Sequence, residues 1–314
     1  MSVPTWERIV GNIGVIIVLL LIGGGLVWLF VRALRGKEVD RRVVFAFILI
    51  SVAAPLLLTI TFEMKPTHIV QELYDKIDNL PAGSRILLSF DFDPPMAPEV
   101  QPMADVVSRH VLTRGHKAVF MTLWATGQAQ FNITLEDVIR RQFPNAVYGE
   151  HYVDLGYKAG NEGVLNVIRT DFKKMFPTDV NTVPWDSLPI LEGIRSCSDF
   201  DLIISLGGGK PGVKEWVLFV GDPTGVPVAG GVAAVVAPML YPYFPSQMCG
   251  LLGGIKGAAE YENYFRDNHP DHTDMETPAM IMMGPQTVAH VVILAFIVIG
   301  NVLFFVNRRK EVKR

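Results

Sequence analysis

The chain has 314 residues, half of them hydrophobic, and a mean hydropathy of +0.31, too apolar for an ordinary soluble domain. Its net charge of -3 gives no electrostatic case for nucleic acid as a partner. Its two cysteines, Cys197 and Cys249, make neither a disulfide framework nor a zinc site.

The apolar excess sits in three segments without a charged residue, 9–31, 43–62 and 287–306. At ~1.5 Å rise per residue, each is long enough to cross a hydrocarbon core of roughly 30 Å. The pattern predicts three membrane helices, so the lipid bilayer is the first partner. An uncleaved signal is the alternative for the first segment. Its apolar run is too long for a signal core, however, and no small-residue cleavage site follows it. Arg32, Arg35, Lys37, Arg41 and Arg42 follow the first segment; Arg308, Arg309, Lys310, Lys313 and Arg314 follow the last. With both basic stretches cytoplasmic, three crossings put the middle of the chain on the non-cytoplasmic side of a cell (inner) membrane. Gly23, Gly24 and Gly25 in the first segment offer a close approach to another helix. Pro55 predicts a kink in the second. No acid or base lies deep in any segment, which argues against an ion or proton path through this chain alone.

The chain thus divides into two helices with a basic loop (1–64), a globular domain (65–284), and a last helix with a basic tail (285–314). Within the domain, Ile69, Val70, Leu73, Ile77 and Leu80 fall at helical spacing and predict a helix over 67–80. Strand and helix then alternate: strand 85–92, helix 99–113, strand 117–124, helix 134–143 capped by Thr134, strand 152–155, helix 162–176. A connection of undefined structure (177–194) leads to strand 202–206, helix 213–220, strand 227–236 and a last helix over 246–266. Five strands alternating with helices imply an α/β fold, Rossmann-like or flavodoxin-like, with a mainly parallel sheet covered on both faces.

The strand from Leu202 to Leu206 is apolar but for Ser205, and it reads as buried on both faces. Gly207, Gly208 and Gly209 follow at once, where the backbone can turn sharply and admit a close neighbour. In such sheets ligands bind beyond the carboxyl ends of the strands. Those ends collect Asp91, Asp93, Thr122, Gly156, Lys158, Gly207, Gly208, Gly209, Lys210 and Gly230. They form the candidate pocket, for a small molecule or for a protein, although α/β turns use glycine without any ligand. The sequence names no cofactor.

Specific chemistries find partial matches. Gly207 to Gly212 fits G-x-G-x-x-G literally, but late in the fold, and Pro211 lacks the amide that would face a phosphate. The stretch Leu87-Leu-Ser-Phe-Asp91-Phe-Asp93 resembles the first motif of haloacid-dehalogenase-type phosphatases. That resemblance implies Asp91 as nucleophile, Asp93 as general acid, a magnesium ion, and Thr122 as the second-strand hydroxyl. It covers under ten residues, and glycines stand where the family carries a later acidic pair. Asp-Pro is also an ordinary turn. His269, Asp271, His272 and Asp274 have metal-ligating side chains on a polar linker, where solvated surface is the simpler reading. Ser205 and Ser246 lack a histidine neighbour and a nucleophile turn.

Gly250, Gly253, Gly254 and Gly257 fall on one face of the expected last helix. Each interior glycine costs about 1 kcal/mol against alanine, so a close approach must compensate, within the domain or at an interface with a second subunit. Cys197 before the fourth strand and Cys249 after the fifth lie at opposite edges on this reading, too far apart to pair. The sequence therefore favours a non-catalytic subunit of a membrane assembly or homo-oligomer. The alternative is a tethered enzyme, phosphatase-like or nucleotide-binding, using Asp91, Asp93, Lys158 and Lys210.

Overall fold

The computed structural model describes residues 5–35, 40–272 and 277–312, and the chain forms two compact units, 64–279 and 1–63 with 280–314. Two helices open it, α1 (Thr5–Leu34) and α2 (Arg41–Leu57). The domain then runs α3 (His68–Asp78), β1 (Arg85–Phe90), α4 (Ala97–Thr113), β2 (Lys117–Thr122), α5 (Gly127–Thr134), β3 (Tyr152–Tyr157), α6 (Glu162–Ile168) and α7 (Phe172–Met175). It continues with β4 (Leu202–Leu206), α8 (Val213–Trp216), α9 (Asp222–Thr224), β5 (Val228–Val232), α10 (Ala237–Leu240), β6 (Gly250–Gly253) and α11 (Gly254–Asn268). Helix α12 (Pro278–Val312) closes the chain.

All six strands are parallel, in the order β3-β2-β1-β4-β5-β6. This is the Rossmann order rather than the flavodoxin one. Strand β4 has the expected limits because nothing in it is ambiguous: all five residues are buried, between apolar layers on both faces. On one face Leu87, Val119, Ile203 and Val228 pack with Phe172 and Trp216. On the other, Phe90 meets Phe120 and Phe131 at ring distances of 5.8 and 5.6 Å.

The sheet has six strands, not five. Gly250–Gly253, expected inside a helix, pairs with β5 in the register Ala229↔Gly250 to Val232↔Gly253. The glycine spacing that looked helical belongs to a strand and the turn after it. Leu73 of α3 lies over Gly250; a Cβ there would sit 2.6 Å from the Leu73 Cβ. Gly254 has φ +62, and a Cβ on it would stand 2.6 Å from the Ala234 Cβ. Gly253 is closed on by Ala237 and Gly257 by the Leu252 backbone. These approaches are all made by the domain itself, and two of the four glycines carry no helix penalty.

The helix expected to start at Thr134 begins at Gly127, and a π turn (Leu135–Arg140) continues it. Thr134 is therefore interior rather than a cap; its hydroxyl donates to Asp105 Oδ1 (2.6 Å) and accepts from Gln101 Nε2 (2.7 Å). The expected helix 162–176 is two helices, α6 and α7, the second capped by Asp171. Both cysteines are free, and both precede strands at the amino edge, which corrects the expected placement of Cys249. They stay apart because β5 separates β4 from β6, about 9 to 10 Å at the usual strand spacing, beyond the ~7 Å reach of a disulfide.

In the other unit, among the described residues, two helices are long and apolar enough to cross a membrane, over Ile17–Leu34 and Pro278–Val306. Three were expected. Helix α2 has 17 residues and ends at Leu57, two residues after Pro55, with Thr59 at φ 46 and residues 60–62 not helical. The apolar composition of 43–62 continues where the helix does not. Asp40 caps α2 by accepting from Arg42 N at 2.8 Å. Of the three consecutive glycines, Gly25 is the one used for packing: a Cβ there would lie 2.3 Å from the Phe47 ring, whereas Gly23 and Gly24 face open space. Leu20, Leu21, Phe45, Leu49, Leu294 and Val298 are exposed apolar side chains, as lipid-facing positions are.

Candidate functional site

In the strand order found, the direction of winding reverses between β1 and β4, and the crevice of such a sheet opens there, past the carboxyl ends. The residues at that point are Asp91, Phe92 and Asp93 after β1 and Gly207 to Lys210 after β4. Asp91 N donates to Leu206 O at 2.7 Å, so the two strands stay paired one residue past their ends. A side chain on Gly207 would strike the Asp91 carbonyl at 2.2 Å.

Asp91 is fully buried, and both of its oxygens are engaged. Oδ1 accepts from Ser89 Oγ and from Leu123 N, each at 2.8 Å. Oδ2 accepts from Trp216 Nε1 at 3.0 Å and Ser205 Oγ at 3.2 Å. Burial pushes its carboxyl up to about 6, against the four donors, which favour the charged form. A nucleophile needs an oxygen that faces substrate. Here the carboxylate instead ties together β1, β4, the turn after β2, and α8. Ser89 and Ser205, direct register partners in two otherwise apolar strands, were the sequence signal that a buried acceptor lay nearby.

Asp93 is different. It is half-buried, and its Oδ1 has no hydrogen-bond partner among the described residues. Thr122 is buried, with Oγ1 2.7 Å from Phe90 O and 2.8 Å from Trp124 O, so it secures the β1–β2 turn. Gly230 lies inside β5 under Val213 rather than at a strand end. Gly208 meets Met96 and Val236, and Gly209 lies against the Trp124 ring, whose Nε1 donates to Pro211 O at 2.8 Å. Trp124 thus closes over the glycine turn.

The two lysines go separate ways. Lys158 Nζ stands 5.1 Å above the Phe176 ring. Lys210 is exposed and pairs with Glu162 at 3.0 Å, which raises its ammonium above the ordinary value. At Gly156, φ +78 and Val180 close by both require glycine, and Gly156 N donates to Asp154 Oδ1 at 2.9 Å. Asp154 is a second buried carboxyl raised by burial to about 6; Gln128 donates to its other oxygen at 2.5 Å.

This edge suits a phosphate poorly. Gly212 N, the amide a phosphate would seek at the start of α8, donates to Glu215 Oε2 at 3.0 Å. The first turn of α4 carries Glu99, whose Oε2 accepts from Ala234 N at 2.7 Å. Acids occupy the positions where a dinucleotide site places its anion.

Beyond β5 the same edge carries an exposed apolar segment that runs into the aromatic, proline-stiffened stretch Tyr241 to Pro245. Val235 is 81% exposed, Met239 67% and Tyr241 51%, with Pro238 and Pro242 exposed between them. Val236, in the same segment, lies against Gly208, so this apolar rim borders the glycine turn.

Two open cavities lie at the opposite edge. One of about 840 Å³ is lined by the 170–195 connection, including Lys173, Trp185 and Arg195. Arg85, which opens β1, donates to Glu192 O at 2.6 Å and so marks this as the amino edge. Another of about 260 Å³ lies before β5 and β6, with Val228 and Cys249 in its wall. The fold's topology and the partnerless Asp93 oxygen favour the carboxyl edge over these grooves, and both bear directly on chemistry.

Of the polar linker, His269 turns inward toward Asp78 and His110, Asp271 is exposed, and Asp274 lies outside the described residues. Compared with models of known protein families, with curated proteins and with solved structures, the chain finds no match in any of the three.

Proposed function

We propose that the protein is a membrane-anchored, non-catalytic binding protein whose α/β domain docks a protein partner, in the first instance a second copy of itself, through the carboxyl-edge rim. The observation that carries this reading is the run of Val235, Met239 and Tyr241, large apolar side chains more than half exposed on a stiff segment beside the crevice. Exposed apolar surface of this kind, when contiguous, marks interaction sites, and the prolines reduce the ordering that docking requires. The four-donor saturation of Asp91 supports a scaffold role over nucleophilic chemistry. Placement of the domain on the non-cytoplasmic side is supported by the charge around α12: Arg308, Arg309 and Lys310 lie near its end, Lys313 and Arg314 follow it, and no Lys or Arg occurs in 267–277 before it.

The test is the native mass of the full chain in mild detergent, with Val235→Asp and Met239→Asp. The reading expects an oligomer that the paired substitutions dissociate while the fold persists. A monomeric wild type that also takes up no partner from its own membrane overturns it. A reporter fused near residue 200 that is active in the cytosol removes the sidedness alone.

A second reading, a tethered enzyme or small-molecule binder, draws on Asp93. Its partnerless oxygen would accept from an amine, hydroxyl or cation, with Lys210 past the end of the neighbouring strand β4 and Lys158 past the end of β3, two strands away. If Asp93→Asn leaves ligand uptake by the purified protein unaltered, this reading fails.

A further inference from the structure

A polar cluster at the other edge of the domain joins residues far apart in the sequence. Asp78 ends α3, His110 lies in the last turn of α4, and His269 directly follows α11. Helix α4 runs back from the carboxyl end of β1 to the amino end of β2, so the cluster sits at the amino edge. The Asp78 Oδ1 atom is 3.4 Å from His110 Nε2 and 3.8 Å from His269 Nε2, and the three ligand atoms lie within 4.8 Å of one another.

Those separations are long for charge-assisted hydrogen bonds, which settle near ~2.7–2.9 Å. The 3.4 Å separation is the one a metal ion imposes, and the 3.8 Å one is slightly wider. Bonds of ~2.0–2.2 Å in tetrahedral geometry hold neighbouring ligand atoms about 3.3–3.6 Å apart. His110 is also oriented as a ligand is. Its Nδ1 is 2.7 Å from the buried Tyr261 hydroxyl, and its ring stacks on Tyr74 at 4.4 Å. With the ion on Nε2, Nδ1 carries the proton and donates to the Tyr261 oxygen, the outer-shell support that ligating histidines commonly have. Arg114 Nε stands 3.2 Å from the same Asp78 oxygen and its Nη2 donates to Asp78 O at 2.9 Å. That pairing aims the carboxylate, and the oxygen retains lone-pair capacity for a second partner.

We propose that Asp78, His110 and His269 bind one divalent cation of the zinc class, joining the domain's first helix to its last. Two imidazoles and one carboxylate select Zn²⁺ or Co²⁺ over Mg²⁺ and Ca²⁺, which prefer all-oxygen shells. Asp78 and His269 are partly exposed, so the fourth position opens to solvent and takes water.

The experiment uses the full-length protein without an affinity tag, purified in mild detergent and stripped with a chelator. Titration with Co²⁺ is expected to give one saturable site per chain with the visible absorption of four-coordinate cobalt. Zn²⁺ displaces it and Mg²⁺ does not. His269→Ala and Asp78→Asn each weaken binding at least tenfold, and near-ultraviolet dichroism confirms that both variants stay folded. Added Zn²⁺ raises the melting temperature of the wild type and not of His269→Ala. Because His110→Ala also removes a buried side chain, it does not arbitrate. Absence of a saturable site, or binding that survives His269→Ala and Asp78→Asn combined, overturns the proposal.

Discussion

The two edges of the sheet hold polar clusters built on opposite principles. At the carboxyl edge Asp91 is sealed, and four donors at 2.8 to 3.2 Å use both oxygens. At the amino edge Asp78 stands 3.4 Å from the buried His110 and 3.8 Å from His269, and only Asp78 and His269 reach the surface. A buried carboxylate whose acceptor capacity is used up holds elements in place and has nothing left for a ligand. A group of donors spaced more widely than hydrogen bonds retains capacity. By this criterion the motif that looked most chemical in the sequence is architectural, and the histidine that looked like linker surface is the better ligand.

The largest expected effect separates the clusters directly. Asp91→Ala strands four donors, two of them hydroxyls that can turn elsewhere, and should destabilise the full chain by at least about 4 kcal/mol in urea unfolding. His269→Ala in metal-free protein should change stability by no more than about 1 kcal/mol. Equal losses would erase the distinction between a sealed and an open cluster.

The pH dependence comes next. Asp91 and Asp154 have carboxyls raised by burial to about 6 from the ordinary carboxylate range. The fold therefore favours their protonated forms. Their contribution is complete below about pH 4 and is lost as pH rises through about 6, on the order of 2 kcal/mol for each. Unfolding free energies at pH 4 and pH 7 for wild type and Asp91→Asn measure this. The variant should lose the Asp91 share of the slope, and an unchanged slope would mean that Asp91 is solvated.

Gly250→Ala tests the sixth strand. Its Cβ would stand 2.6 Å from the Leu73 Cβ and 2.8 Å from the Leu73 N, so backbone must move. A loss of about 1–3 kcal/mol is expected. A neutral result would place 250–253 back in a loosely packed helix. The smallest effect belongs to the rim. Met239→Asp should leave monomer stability within about 0.5 kcal/mol, because a solvent-exposed apolar side chain contributes little to folding. Any change in subunit mass then reports docking alone.

The legibility of each part follows from the range of the force that made it. Strand β4 and the alternation around it were readable because burial on both faces demands a short apolar run, whatever the neighbours are. The apolar length of α1 and α12 was readable for the same kind of reason, composition over a length. The end of α2 was not, because apolar residues continue past Pro55 while the helix stops at Leu57. The strand β6 was hidden because Gly250-Leu-Leu-Gly253 has no pattern of its own. It became a strand when the edge of β5 supplied its partners and α3 its cover.

The sequence by itself therefore determined an α/β domain with apolar helices on either side of it in the chain and a carboxyl edge rich in glycine and acid. Those properties are set by local periodicity and by the transfer of apolar surface out of water. Tertiary structure alone decided that Asp91 is spent on Ser89, Leu123, Ser205 and Trp216, and that Asp78, His110 and His269 meet. The chemistry of a carboxylate or an imidazole depends on which groups surround it in space. Those groups come from strands and helices up to about 190 residues apart in the sequence, a relation no local pattern encodes.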